Sequence, residues 1–143
     1  MAYTFRDPLE ATQDLRVRSP VHERLQITVV HQEEGVAVLS MPLTEHVRGA
    51  AEGSIHGGML ATLADAASAF SIEDSFDLAS QIPITTDMNI RYYRQPHEGP
   101  IVAEAKVVHR GRRLLSSECS IVDAAQRVLA RSTATYMIVP IGI

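Results

Sequence analysis

The stretch Gly53-Ser54-Ile55-His56-Gly57-Gly58-Met59-Leu60-Ala61-Thr62-Leu63-Ala64-Asp65-Ala66-Ala67 decides how the rest of this 143-residue chain is read. It opens with glycines flanking a histidine, then runs into about twenty residues that read as one helix, through Ser75. Met59, Leu60, Leu63, Ala64, Ala66, Ala67, Phe70 and Ile72 cover nearly every side of that helix. A helix apolar all round is one buried on most sides. Asp65 lies in the middle of it. An ionised carboxylate is costly to bury unless paired or hydrogen-bonded, so its position asks for a reason. One reading is structural: Asp65 caps a neighbouring element, or lies on a narrow exposed stripe with Thr62, Ser68 and Ser71. The other makes it a catalytic carboxylate close to an anion site, because the N–H groups of Gly57 and Gly58 at the helix start point outward and favour negative charge.

The length predicts one domain over residues 1–143, with residues 1–19 as an N-terminal arm. A hydrophobic content of 45% with 21% charged residues is ordinary for a globular protein. The net charge of −4 gives no global basic field to gather nucleic acid. Aromatic residues make up 5% and tryptophan is missing, which argues against a base-stacking platform. Cys119 is the single cysteine, so neither an internal disulfide nor a cysteine metal cluster can form. Arg6, Asp7 and Glu10 precede any apolar run, unlike a signal peptide. The uncharged stretch around the helix is too short to span a bilayer. A cytoplasmic protein is expected.

Along the chain, Ser19-Pro20 followed by Glu23 predicts a capped helical turn. Residues 25–31 alternate, with Leu25, Ile27 and Val29 on one face, and read as a strand. Glu33-Glu34-Gly35 turns the chain into a second strand over residues 36–41, stopped by Pro42. After the helix come a loop and a strand over residues 84–93, with Ile84, Thr86, Met88, Ile90 and Tyr92 on one face. Strands over 101–110 and 114–122 flank a reversal at Gly111, and residues 128–139 close the set. Two strands, one buried helix and four further strands predict an α+β domain whose curved antiparallel sheet wraps the helix. Edge strands of such a sheet commonly pair with another copy.

On these residues the chain resembles the hotdog-fold acyl-CoA thioesterases of the 4-hydroxybenzoyl-CoA thioesterase superfamily, in the phenylacetate-pathway branch. The resemblance is carried by His56-Gly57-Gly58 and by Asp65, nine positions after the histidine. It continues in Thr85-Thr86-Asp87-Met88-Asn89-Ile90-Arg91-Tyr92, in the hairpin His109-Arg110-Gly111-Arg112-Arg113 and in the last strand. It implies hydrolysis of an acyl-CoA thioester to a free acid and coenzyme A, with no metal or other cofactor. Asp65 matches the carboxylate that attacks the thioester or activates a water. Gly57 matches the glycine whose N–H stabilises the oxyanion, with Gly58 beside it. His56 matches the motif histidine, which supports the loop, and Thr85 falls where relatives hold the water or the carboxylate. The resemblance also implies a homodimer, further paired as a homotetramer, with Asp65 of one subunit facing Gly57 of the other.

One position departs from the family pattern. Many relatives carry asparagine six residues before the motif histidine, where this chain has Ala50. Glu52, His46 or Thr85 could take its place. Two rivals follow: a non-catalytic module on the same scaffold that binds acyl-CoA or another small ligand, and a hotdog hydratase or dehydratase, whose paired histidine and acid fit the position of Asp65 less well. Arg110, Arg112 and Arg113 read either as a solvated hairpin tip or as a clamp on the phosphates of coenzyme A. Arg91 and Arg94 are a weaker version of that clamp. His22, His31, His46, His97 and His109 are scattered without ligand spacing, and no metal site is expected. Cys119 reads as inert packing.

Overall fold

A computed structural model describes residues 19–141. The arm expected over residues 1–19 lies, but for Ser19, outside them. Helix α1 (Pro20–Leu25) starts as its sequence predicts: Ser19 Oγ accepts the His22 N–H at 3.1 Å, and proline holds the first turn. Gln26, at φ 55°, stops it. Strands β1 (Thr28–Glu33) and β2 (Val36–Met41) follow as a hairpin, then helix α2 (Gly57–Ser71). Strands β3 (Gln81–Tyr92), β4 (Ile101–Arg110), β5 (Leu114–Val122) and β6 (Val128–Pro140) complete one antiparallel sheet in the order β1-β2-β4-β5-β6-β3.

The sheet curves around α2. Ala64 and Ala67 of the helix share a core with Ala37, Ala103 and Ala105 of the inner sheet face. Small side chains on both surfaces let the helix axis come close, and Leu39, Leu60, Leu63 and Ile121 fill the space beside them. Because α2 sits inside the curve, its apolar residues are buried around most of its circumference.

Four expectations need correction. The helix ends at Ser71, not Ser75: Ile72 leaves helical dihedrals (ψ 1°), and residues Glu73–Ser75 tighten into a 3-10 turn. Asp74 is drawn there to Arg110 of β4 by two hydrogen bonds of 3.1 Å. The stripe of Thr62, Ser68 and Ser71 is not exposed, for Ser68 and Ser71 are buried, and Ser71 Oγ lies 2.8 Å from Ser117 Oγ of β5. The first strand begins at Thr28, because residues 20–25 are helical. Leu25, Ile27 and Val29 still face the core, and a bulge after Val29 turns Gln32 inward as well. In β3 the alternation does not run through. A bulge between Thr85 and Asp87 switches its parity. Ile84 therefore faces outward and is 46% exposed, while Met88 and Ile90 pack against the core. The inserted residue, Thr86, donates its hydroxyl to the Thr135 carbonyl at 3.1 Å.

The β5–β6 turn is organised by Asp123, which is fully buried. Its Oδ1 accepts the Ala125 and Arg127 N–H groups, and its Oδ2 takes the Arg127 guanidinium. The hydrogen bond from Arg127 outweighs burial and lowers the carboxyl from 3.8 to about 2. A depressed acid stabilises the fold fully above its unfolded value and loses that contribution as pH falls through the folded one. The stability gap between wild type and Asp123→Asn, read by urea denaturation, should thus hold down to about pH 4 and close between about pH 4 and pH 2. No helix among the described residues is long and apolar enough to cross a membrane.

Candidate active site

Asp65 lies at the middle of α2 on the side turned to β6 and β3, and is half-buried. Its Oδ1 accepts two hydroxyls, Tyr136 at 2.8 Å and Thr85 at 2.9 Å. The reason an acid tolerates this helix is therefore on the neighbouring strands. Burial pushes the Tyr136 hydroxyl far above its ordinary pKa, and the charge of Asp65 pushes it the same way. It stays protonated, as a donor. Both donors converge on one oxygen, which leaves Oδ2 without a partner among the described residues. The bulge in β3 matters here, because it turns Thr85 inward opposite Tyr136. Tyr136 is absent from the sequence-derived candidates. Its sequence signal is a lone aromatic on β6, with a polar tip that needs a partner once buried. Tyr136→Phe should lower unfolding free energy by about 1 kcal/mol and reduce kcat about tenfold, checked by denaturation and turnover of the same preparation.

At the start of α2, His56 is the N-cap residue. Its Nδ1 accepts the Gly58 N–H at 3.0 Å, which places the ring proton on Nε2. A Cβ on Gly58 would stand 3.1 Å from that nitrogen, so glycine lets the imidazole lie over the helix end. The Gly58 N–H is thereby occupied and is not free to meet an anion. The Met59 N–H bonds the His56 carbonyl at 2.9 Å. The Gly57 N–H finds no acceptor among the described residues. The helix N-terminus thus presents one free donor rather than two. Tyr92, unassigned by sequence, donates to the Gly57 carbonyl at 3.0 Å. Gln95, also unforeseen, accepts the Ile55 N–H at 2.8 Å and steadies the loop.

Within one chain these two halves stand apart. Asp65 lies eight positions along the helix from Gly57, about 12 Å of rise. A thioester carbonyl cannot touch both. The far edge of β3, the strand carrying Thr85 and Tyr92, pairs with nothing among the described residues.

The three hairpin arginines separate. Arg110 is bound bidentately by Asp74, whose side chain is only 5% exposed, so it fastens β4 to the turn after α2 and is not available to a phosphate. Arg112 and Arg113 are exposed and carry no ion pair among the described residues. Register places them at the Thr85 end of the sheet: Leu114 pairs with Met137, and Met137 with Ile84. The two intervening strand spacings make about 10 Å. Arg91 and Arg131 oppose each other on the outer face, away from Asp65. Ala50, His46 and Glu52 are exposed around the loop before α2 and make no contact with Asp65. Cys119 is buried, and its thiol is raised to about 12 by that burial, which makes it unreactive. Among the described residues no three His, Cys, Asp or Glu side chains converge as metal ligands would.

A curved antiparallel sheet wrapped around one central helix is the hotdog architecture, and the class of protein is that of the thioester hydrolases. The chain belongs to the thioesterase superfamily, whose model matches residues 52–130. A putative esterase of Halobacterium salinarum is 31% identical over 84% of this chain and 66% of its own length. The 1,4-dihydroxy-2-naphthoyl-CoA hydrolase of Listeria monocytogenes is 26% identical over 82% of this chain and 94% of its own. Among solved structures, a variant of the phenylacetic acid degradation protein PaaI from Thermus thermophilus superposes with a TM-score of 0.74 at 25% identity. That match covers 83% of this chain and 98% of the other.

Proposed function

We propose that this chain hydrolyses acyl-CoA thioesters to a free acid and coenzyme A, with Asp65 as nucleophile or general base. The observation that carries the reading is the carboxylate itself, pinned through one oxygen by Tyr136 and Thr85 with the other free. As a base, Asp65 takes a proton from water as the hydroxide adds to the carbonyl. The oxyanion is held by the Gly57 N–H, the C–S bond breaks, and the departing thiolate regains the proton. As a nucleophile, Asp65 adds to the carbonyl and expels the coenzyme A thiolate to form an anhydride. Water then cleaves the anhydride to the free acid and the Asp65 carboxylate, and the proton released goes to the thiolate. A thioester is already activated, so one carboxylate and one oxyanion donor suffice.

The oxyanion donor comes from a second copy. The distance between Asp65 and Gly57 within a chain, and the open edge of β3, support a homodimer in which each site joins the two; pairing of two dimers into a homotetramer extends it. Arg112 and Arg113 meet the phosphates of coenzyme A. Replacing both with alanine should raise KM for an acyl-CoA severalfold while sparing the matching acyl-pantetheine, which lacks those phosphates. The test of the whole reading is thiol release from aryl-, phenylacetyl-, short- and long-chain acyl-CoAs. A folded wild type that releases no thiol from any of them would overturn it in favour of a binding module, the role that Ala50 favours. In that event Ala50→Asn would be the next variant to assay.

A further inference from the structure

We propose that Tyr92 is the positioning residue of the oxyanion donor: acting through the Gly57 carbonyl, its hydroxyl keeps the Gly57 N–H on aim. This deepens the thioesterase reading above and rests on its use of that N–H. The need for such a residue lies in the sequence. Gly57 and Gly58 are consecutive glycines, so the backbone that carries the donor has little restraint of its own. An N–H that swings holds an oxyanion poorly, because such stabilisation depends on dipoles fixed before the reaction.

Both peptide groups that meet at the Gly57 Cα are gripped. The first, between His56 and Gly57, is held by its carbonyl, which accepts the Met59 N–H at 2.9 Å. The second, between Gly57 and Gly58, is held at both ends. Its carbonyl accepts the Tyr92 hydroxyl at 3.0 Å, and its N–H donates to His56 Nδ1 at 3.0 Å. These two bonds run in one direction through the peptide, so each polarises the other. His56 and Met59 belong to the helix start itself; Tyr92 alone of the three comes from the sheet. Its ring also lies against Gly57, with Cζ 3.4 Å from where a Cβ would stand.

The bulge in β3 is what brings Tyr92 there. Thr85 and Tyr92 are seven positions apart, an odd separation that puts two residues on opposite faces of a regular strand. The extra residue between Thr85 and Asp87 returns them to one face. Thr85 then holds Asp65, and Tyr92 holds the start of α2. One strand thus positions both halves of the site.

The experiment is a double-mutant cycle in thiol release, using wild type, Tyr92→Phe, Gly57→Pro and the double variant on the best-cleaved member of the acyl-CoA panel. Thermal denaturation of each variant runs beside it. Tyr92→Phe keeps the ring and removes only the hydrogen bond. It should lower kcat about three- to tenfold at an unchanged KM, as expected of an effect confined to the transition state. Tyr93→Phe, an exposed neighbour away from the helix start, should match wild type. In the Gly57→Pro background Tyr92→Phe should change nothing, because no N–H is left to aim, whereas a merely structural tyrosine would cost the same in both backgrounds. A Tyr92→Phe enzyme at the wild-type rate, a loss carried by KM, or an equal loss in both backgrounds would overturn the role of Tyr92 and leave the thioesterase reading intact. A fully active Gly57→Pro would overturn the donor and Tyr92 with it. A wild type that cleaves none of the panel would overturn the thioesterase reading as well.

Discussion

Asp65→Ala should abolish thioester cleavage, lowering kcat by at least about 100-fold, while the chain keeps its fold. The second half of that statement has a structural basis. The Tyr136 hydroxyl, which would lose its carboxylate acceptor, already lies 2.9 Å from the carbonyl of residue 65. In the alanine variant it turns to that backbone oxygen, and no buried donor is stranded. Thr85 is exposed and finds water. Asp65→Asn keeps an acceptor for both hydroxyls but has neither the charge nor the basicity, so it should be as inactive as the alanine variant. Thiol release measured beside thermal denaturation checks both claims. An Asp65→Ala enzyme with most of its activity would show that the carboxylate is structural. Single turnover in ¹⁸O water then separates the two chemical routes, since only an anhydride leaves label in the Asp65 carboxylate.

Gly57→Pro should have the second-largest effect, a fall in kcat of about 100- to 1000-fold, again without unfolding. Proline lacks the one backbone N–H that α2 leaves free. The substitution is placed where a helix accepts it: Gly57 is the first helical residue, and proline suits that position. His56 before it, at φ −70° and ψ 126°, already has the extended conformation that a following proline demands. The Gly57 carbonyl, which Tyr92 uses, is kept. Gly57→Ala is the control. It retains the N–H, its Cβ would stand 3.4 Å from the Tyr92 ring, and it should cost less than about tenfold, since the donor remains. The pair also tests assembly. Subunits of Asp65→Ala mixed with subunits of Gly57→Pro form hybrids in which one site carries both defects and the other carries neither. Recovered activity on mixing would require that each site draw on two chains. Continued inactivity would place the whole site within one.

The fold was legible because its signals are local and repeated. Periodic apolar residues around α2, alternation over residues 25–31, the stop at Pro42 and turn residues at Gly35 and Gly111 each act within a few positions. The hotdog resemblance rested on His56-Gly57-Gly58, on Asp65 and on the residues of the later strands. The site was legible only in part. His56, Gly57 and Asp65 stand out by residue type and spacing, and Thr85 through the resemblance. What fixes their roles is long-range. Tyr136 lies 71 residues from Asp65 in sequence, and nothing in its own strand announces the contact. The bulge that turns Thr85 inward is one inserted residue, and it looks the same in sequence as uninterrupted alternation. Arg110 and Arg112 are alike as letters, yet Asp74, a residue the helix was expected to contain, claims one and not the other. That Gly58 has lost its free N–H follows from the rotamer of a neighbouring histidine. Tertiary partners decide such matters, and single-sequence patterns do not contain them.

The open edge of β3 has a kinetic meaning. If a site is complete only where two such edges meet, the isolated chain is a latent enzyme, and catalytic competence is governed by mass action. Specific activity would then fall on dilution, and a progress curve started from dilute protein would show a lag as subunits find each other. A charged residue introduced at the edge, with the acid, its two hydroxyl partners and the helix cap all intact, would silence the enzyme without touching its chemistry. The same edge that needs protection from promiscuous pairing would thus set the threshold concentration at which the chain begins to work.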